Sequence, residues 1–121
     1  GGRAARWGRE TAKKIASAIG ASAPTGNSNE CLLDGRRVVI KCAAPKTDSV
    51  GVTYRMLERI TEVIGAFQKN GATFDVWSLP VAIARAAMRP TASRGASAGK
   101  VGIVGREIFY EKGQNVGQIR I

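Results

Sequence analysis

A predicted β-hairpin at residues 29–42 constrains the fold of this chain more than any other stretch. Two runs rich in strand-forming residues, NECLL and RRVVIKC, flank the pair Asp34-Gly35. This pair favours a two-residue type I′ turn, because glycine adopts a positive φ angle without steric cost. The turn sets the register of the two strands and predicts that Glu30 lies opposite Val39.

This register divides the side chains of the hairpin between two faces, because alternate residues of a strand point to opposite sides. One face is almost entirely apolar and consists of Cys31, Leu33, Val38, Ile40 and Cys42. The other face consists of Ser28, Glu30, Leu32, Arg37, Val39 and Lys41. A carboxylate and an ammonium group therefore lie about one diagonal apart on the less apolar face. Two interpretations are open, a functional site on that face or an ordinary hairpin with one half-solvated face.

Length and composition suit one folded domain covering residues 1–121, since 44% of the 121 residues are hydrophobic. No apolar run approaches the length of a membrane span, and the N-terminus lacks the order of a signal peptide. The chain contains no His, which excludes Ser-His-Asp and Cys-His catalytic groups and His-ligated zinc within it. Cys31 and Cys42 lie about four residues apart along the hairpin, at roughly 3.3 Å per residue, too far for a disulfide. We therefore expect two buried, reduced thiols in a cytoplasmic protein.

The charge balance points to a polyanionic partner. The chain has 19 basic and 9 acidic residues and a formal net charge of +10, which suits nucleic acid most simply. An anionic membrane surface is a poorer match, because no segment combines a basic face with a wide aromatic one. The candidate phosphate contacts are Arg6, Arg9, Lys13 and Lys14 in the first predicted helix, where Arg3 extends the basic side, and Arg94 and Lys100 in a Ser/Gly-rich loop. A solvated basic face is the alternative for both groups.

Hydrophobic periodicity predicts the remaining elements. Apolar stripes at helical spacing predict one helix over residues 3–20 and a longer one over residues 53–69, and alternation predicts a strand over Ala72–Leu79. The other predictions are loops at 43–49 and 91–99, a short helix after Pro80 that ends by Pro90, and strands at 100–105, 107–110 and 116–121. Trp7, Tyr54 and Trp77 are interpreted as core or rim aromatics in preference to base-stacking residues. This order of elements favours a mixed α/β or α+β domain.

The front half of the chain resembles the PD-(D/E)xK, or restriction-endonuclease-like, nucleases. Members of that family carry an acidic residue on a helix, a second on the first strand of a hairpin, and (Asp/Glu)-x-Lys on the second strand. Gly8-Arg9-Glu10 resembles the helix motif, Glu30 falls near the first-strand position, and Val39-Ile40-Lys41 stands where (Asp/Glu)-x-Lys is expected. The resemblance covers roughly residues 6–70. It implies a single restriction-endonuclease-like domain with a central mixed sheet flanked by helices.

The resemblance also implies a chemistry. Phosphodiester hydrolysis in this family uses a divalent cation, usually Mg²⁺, held by carboxylate oxygens. By resemblance, Glu30 and Glu10 hold the metal and Lys41 acts on the attacking water. Val39 departs from the motif, because its side chain cannot bind a metal.

Three classes of function are therefore open. The first is a Mg²⁺-dependent nuclease acting on nucleic acid, with DNA the leading partner, and the second is a binding module on the same fold that does not cut. The third is a structural or protein-interaction domain whose charge serves solubility. A homodimer is compatible with each class.

Overall fold

A computed structural model describes residues 2–25, 28–91 and 98–121. Within these ranges the chain forms three α-helices and two β-sheets, so the α+β expectation is confirmed at this level. The helices are α1 (Gly2–Ile19), α2 (Val81–Ala87) and α3 (Arg106–Lys112). The strands are β1 (Glu30–Leu33), β2 (Arg36–Ala43), β3 (Ser49–Thr53), β4 (Glu62–Asn70), β5 (Thr73–Pro80), β6 (Arg89–Pro90), β7 (Val101–Gly105) and β8 (Gln114–Arg120). No helix in the described ranges has the length and apolar character needed to cross a membrane.

The larger sheet is mixed and has five strands in the order β1-β2-β4-β5-β8. Strands β2 and β4 run parallel, and the other neighbouring pairs are antiparallel. The predicted hairpin is confirmed in its register, because Glu30 pairs with Val39 and Leu33 pairs with Arg36. Its turn has φ angles of 50° at Asp34 and 79° at Gly35, as a type I′ turn requires. The smaller sheet has the order β3-β7-β6.

Both faces of the five-stranded sheet are covered. Helix α1 packs on one face and buries Ala12, Ile15 and Ala16 against a group that includes Val38 and Ile40. The smaller sheet, α2 and α3 cover the other face, where the buried residues include Val39, Val63, Phe67, Leu79 and Phe109. The predicted first helix and its apolar stripe are therefore confirmed. The less apolar face of the hairpin is partly solvated, because Leu32 and Arg37 are exposed whereas Val39 is buried in this second core.

The helix predicted over residues 53–69 is wrong. A short 3-10 turn, Met56–Glu58, is followed by strand β4, which pairs with β2 on one side and β5 on the other. Residues 63–67 are all buried, because β4 is central and both of its faces are covered. A strand buried on both faces shows a continuous apolar run, so its period of two cannot be seen in the sequence.

The strand predicted at residues 107–110 is also wrong, because this segment forms the middle of α3. The helix is held by tertiary packing, with Phe109 fully buried in an edge-on contact with Phe67, ring centroids 5.1 Å apart. The predictions of a strand at 72–79, a helix after Pro80 and a strand at 100–105 are confirmed as β5, α2 and β7. The last strand is β8, which begins at Gln114, and residues 92–97 of the predicted 91–99 loop lie outside the described residues.

Arg106 fixes the loop that leads from β2 into β3. Its Nη2 donates hydrogen bonds to the carbonyl oxygens of Ala44 at 2.8 Å and Thr47 at 2.7 Å. Its guanidinium also lies over the Phe67 ring, 5.0 Å from the centroid. These contacts hold the loop between β2 and β3 against Phe67 on the large sheet.

Candidate functional site

The carboxylate of Glu30 is bound by arginine. Glu30 is 9% exposed, and its two oxygens accept hydrogen bonds from Arg59, Nε to Oε1 at 3.1 Å and Nη2 to Oε2 at 2.9 Å. The hydrogen bond from Arg59 holds the pKa of Glu30 below its ordinary value, although burial opposes this shift. A hydrogen bond from Ser28 lowers the pKa further. Glu30 is therefore an ionised, oriented partner of Arg59.

Lys41 lies on the same hairpin face as Glu30, as the confirmed register requires. The last hydrogen bond between the hairpin strands joins the N–H of Ile40 to the carbonyl oxygen of Asn29, at 3.1 Å. Strand β2 continues beyond this point to Ala43, so this part of β2 forms an open edge. Lys41 is half-buried at this open edge. Burial lowers the pKa of its ammonium group, and nearby negative charge, including that of Glu30, partly offsets this effect.

A cavity of about 330 Å³ at this edge brings Lys41 together with Arg9. It lies between the first half of α1 and the start of β3. Its lining consists of Ala5, Gly8, Arg9, Asn29, Lys41, Cys42, Ser49, Val50 and Gly51. We call it the Arg9–Lys41 cavity. No carboxylate side chain is among these lining residues, so the charged groups that the cavity presents to a ligand are Arg9 and Lys41.

Glu10 does not join Glu30 and Lys41 in this arrangement. It is exposed on α1, and the neighbouring Gly8 and Arg9 line the cavity in its place. Across the described ranges, no three carboxylate, thiol or imidazole groups lie close enough together to hold a metal ion. Val39 is fully buried in the core, where it cannot contribute to a site.

The predicted basic side of α1 is exposed. Arg6, Lys13 and Lys14 face solvent, Arg9 is half-buried, and the opposite side of the helix packs on the sheet. The ion pairs found in the described part of the chain are Arg36–Glu62, Arg59–Glu30 and Lys69–Asp75, and none uses a cation of α1.

The two loop cations have different positions. Arg94 lies outside the described residues, so its predicted phosphate contact has no structural counterpart. Lys100 lies away from the Arg9–Lys41 cavity and lines a second cavity of about 440 Å³ with Thr53, Tyr54, Arg55, Arg59 and Gly99. Sequence periodicity does not single out Arg55 and Arg59, because it predicts one helix over residues 53–69. Their spacing of four residues and the flanking Tyr54 were the available signal.

The two tryptophans follow the core-or-rim interpretation. Trp7 stacks on buried Phe74 with ring centroids 6.4 Å apart, and Trp77 packs against Tyr110 at 5.3 Å. The two cysteines are free thiols, as predicted, with Cys31 buried and Cys42 half-buried. Burial raises the pKa of the Cys42 thiol to about 12, so this thiol is protonated at neutral pH.

A comparison of the chain with protein-family models gives no match, and neither does a comparison with curated proteins.

Proposed function

We propose that this chain binds nucleic acid, principally DNA, through contacts to the phosphate backbone. One observation carries the proposal: helix α1 exposes Arg6, Lys13 and Lys14, and its half-buried Arg9 lines a cavity together with half-buried Lys41. We define the α1 surface as Arg6, Arg9, Lys13, Lys14 and Lys41. Phosphate groups are the natural partners of such a surface, because they offer negative charge and several acceptor oxygens.

The partial burial of Arg9 and Lys41 supports an anionic ligand. A half-buried cation has given up part of its hydration, and burial already lowers the pKa of Lys41. A phosphate oxygen in the cavity would restore favourable interactions to this ammonium group. The net charge of +10 acts in the same direction by attracting polyanions over longer distances.

Salt dependence tests this proposal. Affinity for labelled duplex and single-stranded DNA should fall steeply with rising salt, because cations bound to phosphates release condensed counterions. Lys13→Ala/Lys14→Ala should weaken binding and reduce the slope of log affinity against log salt by about one for each phosphate that the variant no longer neutralises. Arg85→Ala/Lys112→Ala is the matched control, because it removes the same charge from exposed positions on α2 and α3. The proposal fails if wild type does not bind at low salt, or if both double variants lose affinity equally.

Metal-dependent cleavage on a restriction-endonuclease-like fold is a second candidate. The observation that favours it is the shared face of Glu30 and Lys41, together with the lowered pKa of Lys41, which suits proton transfer. The described carboxylates do not fit a Mg²⁺ site as they stand, because Arg59 binds both oxygens of Glu30 and Glu10 is exposed on α1. We therefore derive no catalytic step through a metal.

Incubation of DNA and RNA with the chain and Mg²⁺ or Mn²⁺ separates the two candidates. If the chain cuts, Lys41→Ala should reduce the rate by about two orders of magnitude or more, as expected for loss of a group that stabilises transition-state charge. Binding without cleavage in wild type would favour the binding module. Cleavage that is equal in wild type and Lys41→Ala would refute the assigned role of this hairpin.

A further inference from the structure

We propose that the second cavity, lined by Thr53, Tyr54, Arg55, Arg59, Gly99 and Lys100, binds a nucleotide. The phosphate would contact the three cations, and the base would contact Tyr54. We call this cavity the Tyr54 cleft. It shares no residue with the α1 surface, so its occupation does not depend on that surface.

The walls of the Tyr54 cleft are joined by backbone hydrogen bonds. Thr53 pairs with Val101 in the smaller sheet, and one residue further the Tyr54 N–H donates to the Lys100 carbonyl oxygen at 3.0 Å. The Thr53 hydroxyl accepts the N–H of Met56 at 3.2 Å and caps the turn that follows. The positions of Tyr54 and Lys100 are therefore set by the end of a β-ladder.

The three cations have separate supports. Arg55 and Arg59 stand at the two ends of the 3-10 turn, which the Arg59 N–H closes by donating to the Met56 carbonyl oxygen at 2.9 Å. Glu30 binds Arg59 through Nε and Nη2, yet the Arg59 side chain is still 42% exposed. An arginine held in this way can offer further N–H groups to a phosphate at a smaller entropic cost than a free side chain. On this proposal Glu30 is a positioning residue for Arg59.

Charge at the cleft favours an anion. Its lining contains three cations and no carboxylate side chain, and Arg55 and Lys100 are exposed. Two acidic groups act on Arg59: Glu30, which is already bound to it, and exposed Glu58.

Tyr54 supplies an aromatic wall. The ring is half-buried against Gly102, where a Cβ atom would lie 2.8 Å from the Tyr54 hydroxyl oxygen and 2.5 Å from Met88 Cε. The absence of a side chain at Gly102 thus leaves the space that the ring occupies. Aromatic rings of this kind stack on bases with little sequence preference. The cleft volume of about 440 Å³ falls within the range of small-molecule sites and suits a single nucleotide.

The ligand is either a free nucleotide or one nucleotide of a single strand, and titrations with AMP, inorganic phosphate and a short oligothymidylate distinguish them. Arg55→Ala and Lys100→Ala should each weaken AMP binding by about tenfold, the loss expected for one charge-assisted hydrogen bond. Tyr54→Leu should weaken AMP binding by about fivefold or more because it removes stacking, and leave phosphate binding unchanged. Arg85→Ala is the control and should bind like wild type. Circular dichroism should show that each variant is folded.

If AMP binds weakly while the oligothymidylate loses affinity in Arg55→Ala and Tyr54→Leu, the ligand is a nucleotide within a strand. The proposal is overturned if neither ligand responds to Arg55→Ala more than to Arg85→Ala. The proposed contact between the base and Tyr54 is overturned if phosphate binds as tightly as AMP and Tyr54→Leu does not change the affinity for AMP. Lys13→Ala/Lys14→Ala should bind AMP like wild type. Refutation of DNA binding at the α1 surface and refutation of nucleotide binding in the Tyr54 cleft would therefore give different results.

Discussion

Gly65→Ala distinguishes the strand in the structure from the helix that periodicity predicts. Gly65 lies in the middle of β4, and a Cβ atom there would lie 2.7 Å from Phe67 Cε2 and 2.9 Å from Phe109 Cε2. Both rings are buried and pack against each other, with centroids 5.1 Å apart, so neither can move without disturbing the core.

The magnitude follows from two opposing terms. Overpacking of a well-packed core costs about 1–3 kcal/mol. Replacing glycine by alanine within a strand recovers about 0.5–1 kcal/mol of conformational entropy. The difference between the two terms is roughly 0–2.5 kcal/mol. We expect Gly65→Ala to lower the free energy of unfolding by an amount in the upper half of that range, because the added Cβ would meet two buried rings. Within a helix the same substitution would raise stability by about 1 kcal/mol, so the two structures predict opposite signs.

Urea unfolding followed by circular dichroism measures this difference, read from the midpoint at an unchanged m value. Gly51→Ala is the control, because the nearest atom to its added Cβ is Val101 Cγ1 at 3.5 Å, an ordinary contact. We expect that control to change stability by no more than about 0.5–1 kcal/mol, in the stabilising direction. Phe67→Leu should reduce the cost of Gly65→Ala, because it removes the nearer ring. A Gly65→Ala protein as stable as wild type would refute the packing described for β4.

Three further predictions concern the hairpin. Glu30→Gln should have a lower urea midpoint than wild type at pH 7. Because Arg59 lowers the pKa of Glu30 in the folded state, this stabilisation is present above the ordinary value of 4.5 and should disappear as pH falls through the lower folded value. Gly35→Ala should lower the free energy of unfolding by about 1–2 kcal/mol in the same assay, because an alanine at the φ angle of 79° is strained. An unchanged midpoint would contradict the type I′ turn. Thiol labelling of the native protein at pH 8 should be slow at both cysteines, and labelling in urea should be fast. Burial raises the pKa of Cys42 to about 12 and also raises the pKa of Cys31, so few thiolates are present in the folded protein. Rapid labelling of Cys31 in the native protein would show that its face is wrongly assigned.

Local signals in the sequence predicted the parts of the fold that depend on near neighbours. Asp34-Gly35 predicted the hairpin and its register, because the turn geometry depends on two adjacent residues. The stripe of Ala12, Ile15 and Ala16 predicted α1, because one side of that helix remains in water. The same reasoning failed for β4, whose two faces are both buried, and for α3, which is set by the packing of Phe109.

The features of the candidate site also fall into two groups, those that the sequence predicts and those that depend on the fold. The sequence by itself determined the charge excess, the absence of His, the basic side of α1 and the shared face of Glu30 and Lys41. Only the tertiary structure decided that Glu30 binds Arg59, 29 residues away along the chain. It also brought Arg9 beside Lys41 and joined Tyr54 to Lys100. These contacts join distant segments through sheet pairing and helix packing, and turn propensity and periodicity describe only near neighbours in the chain.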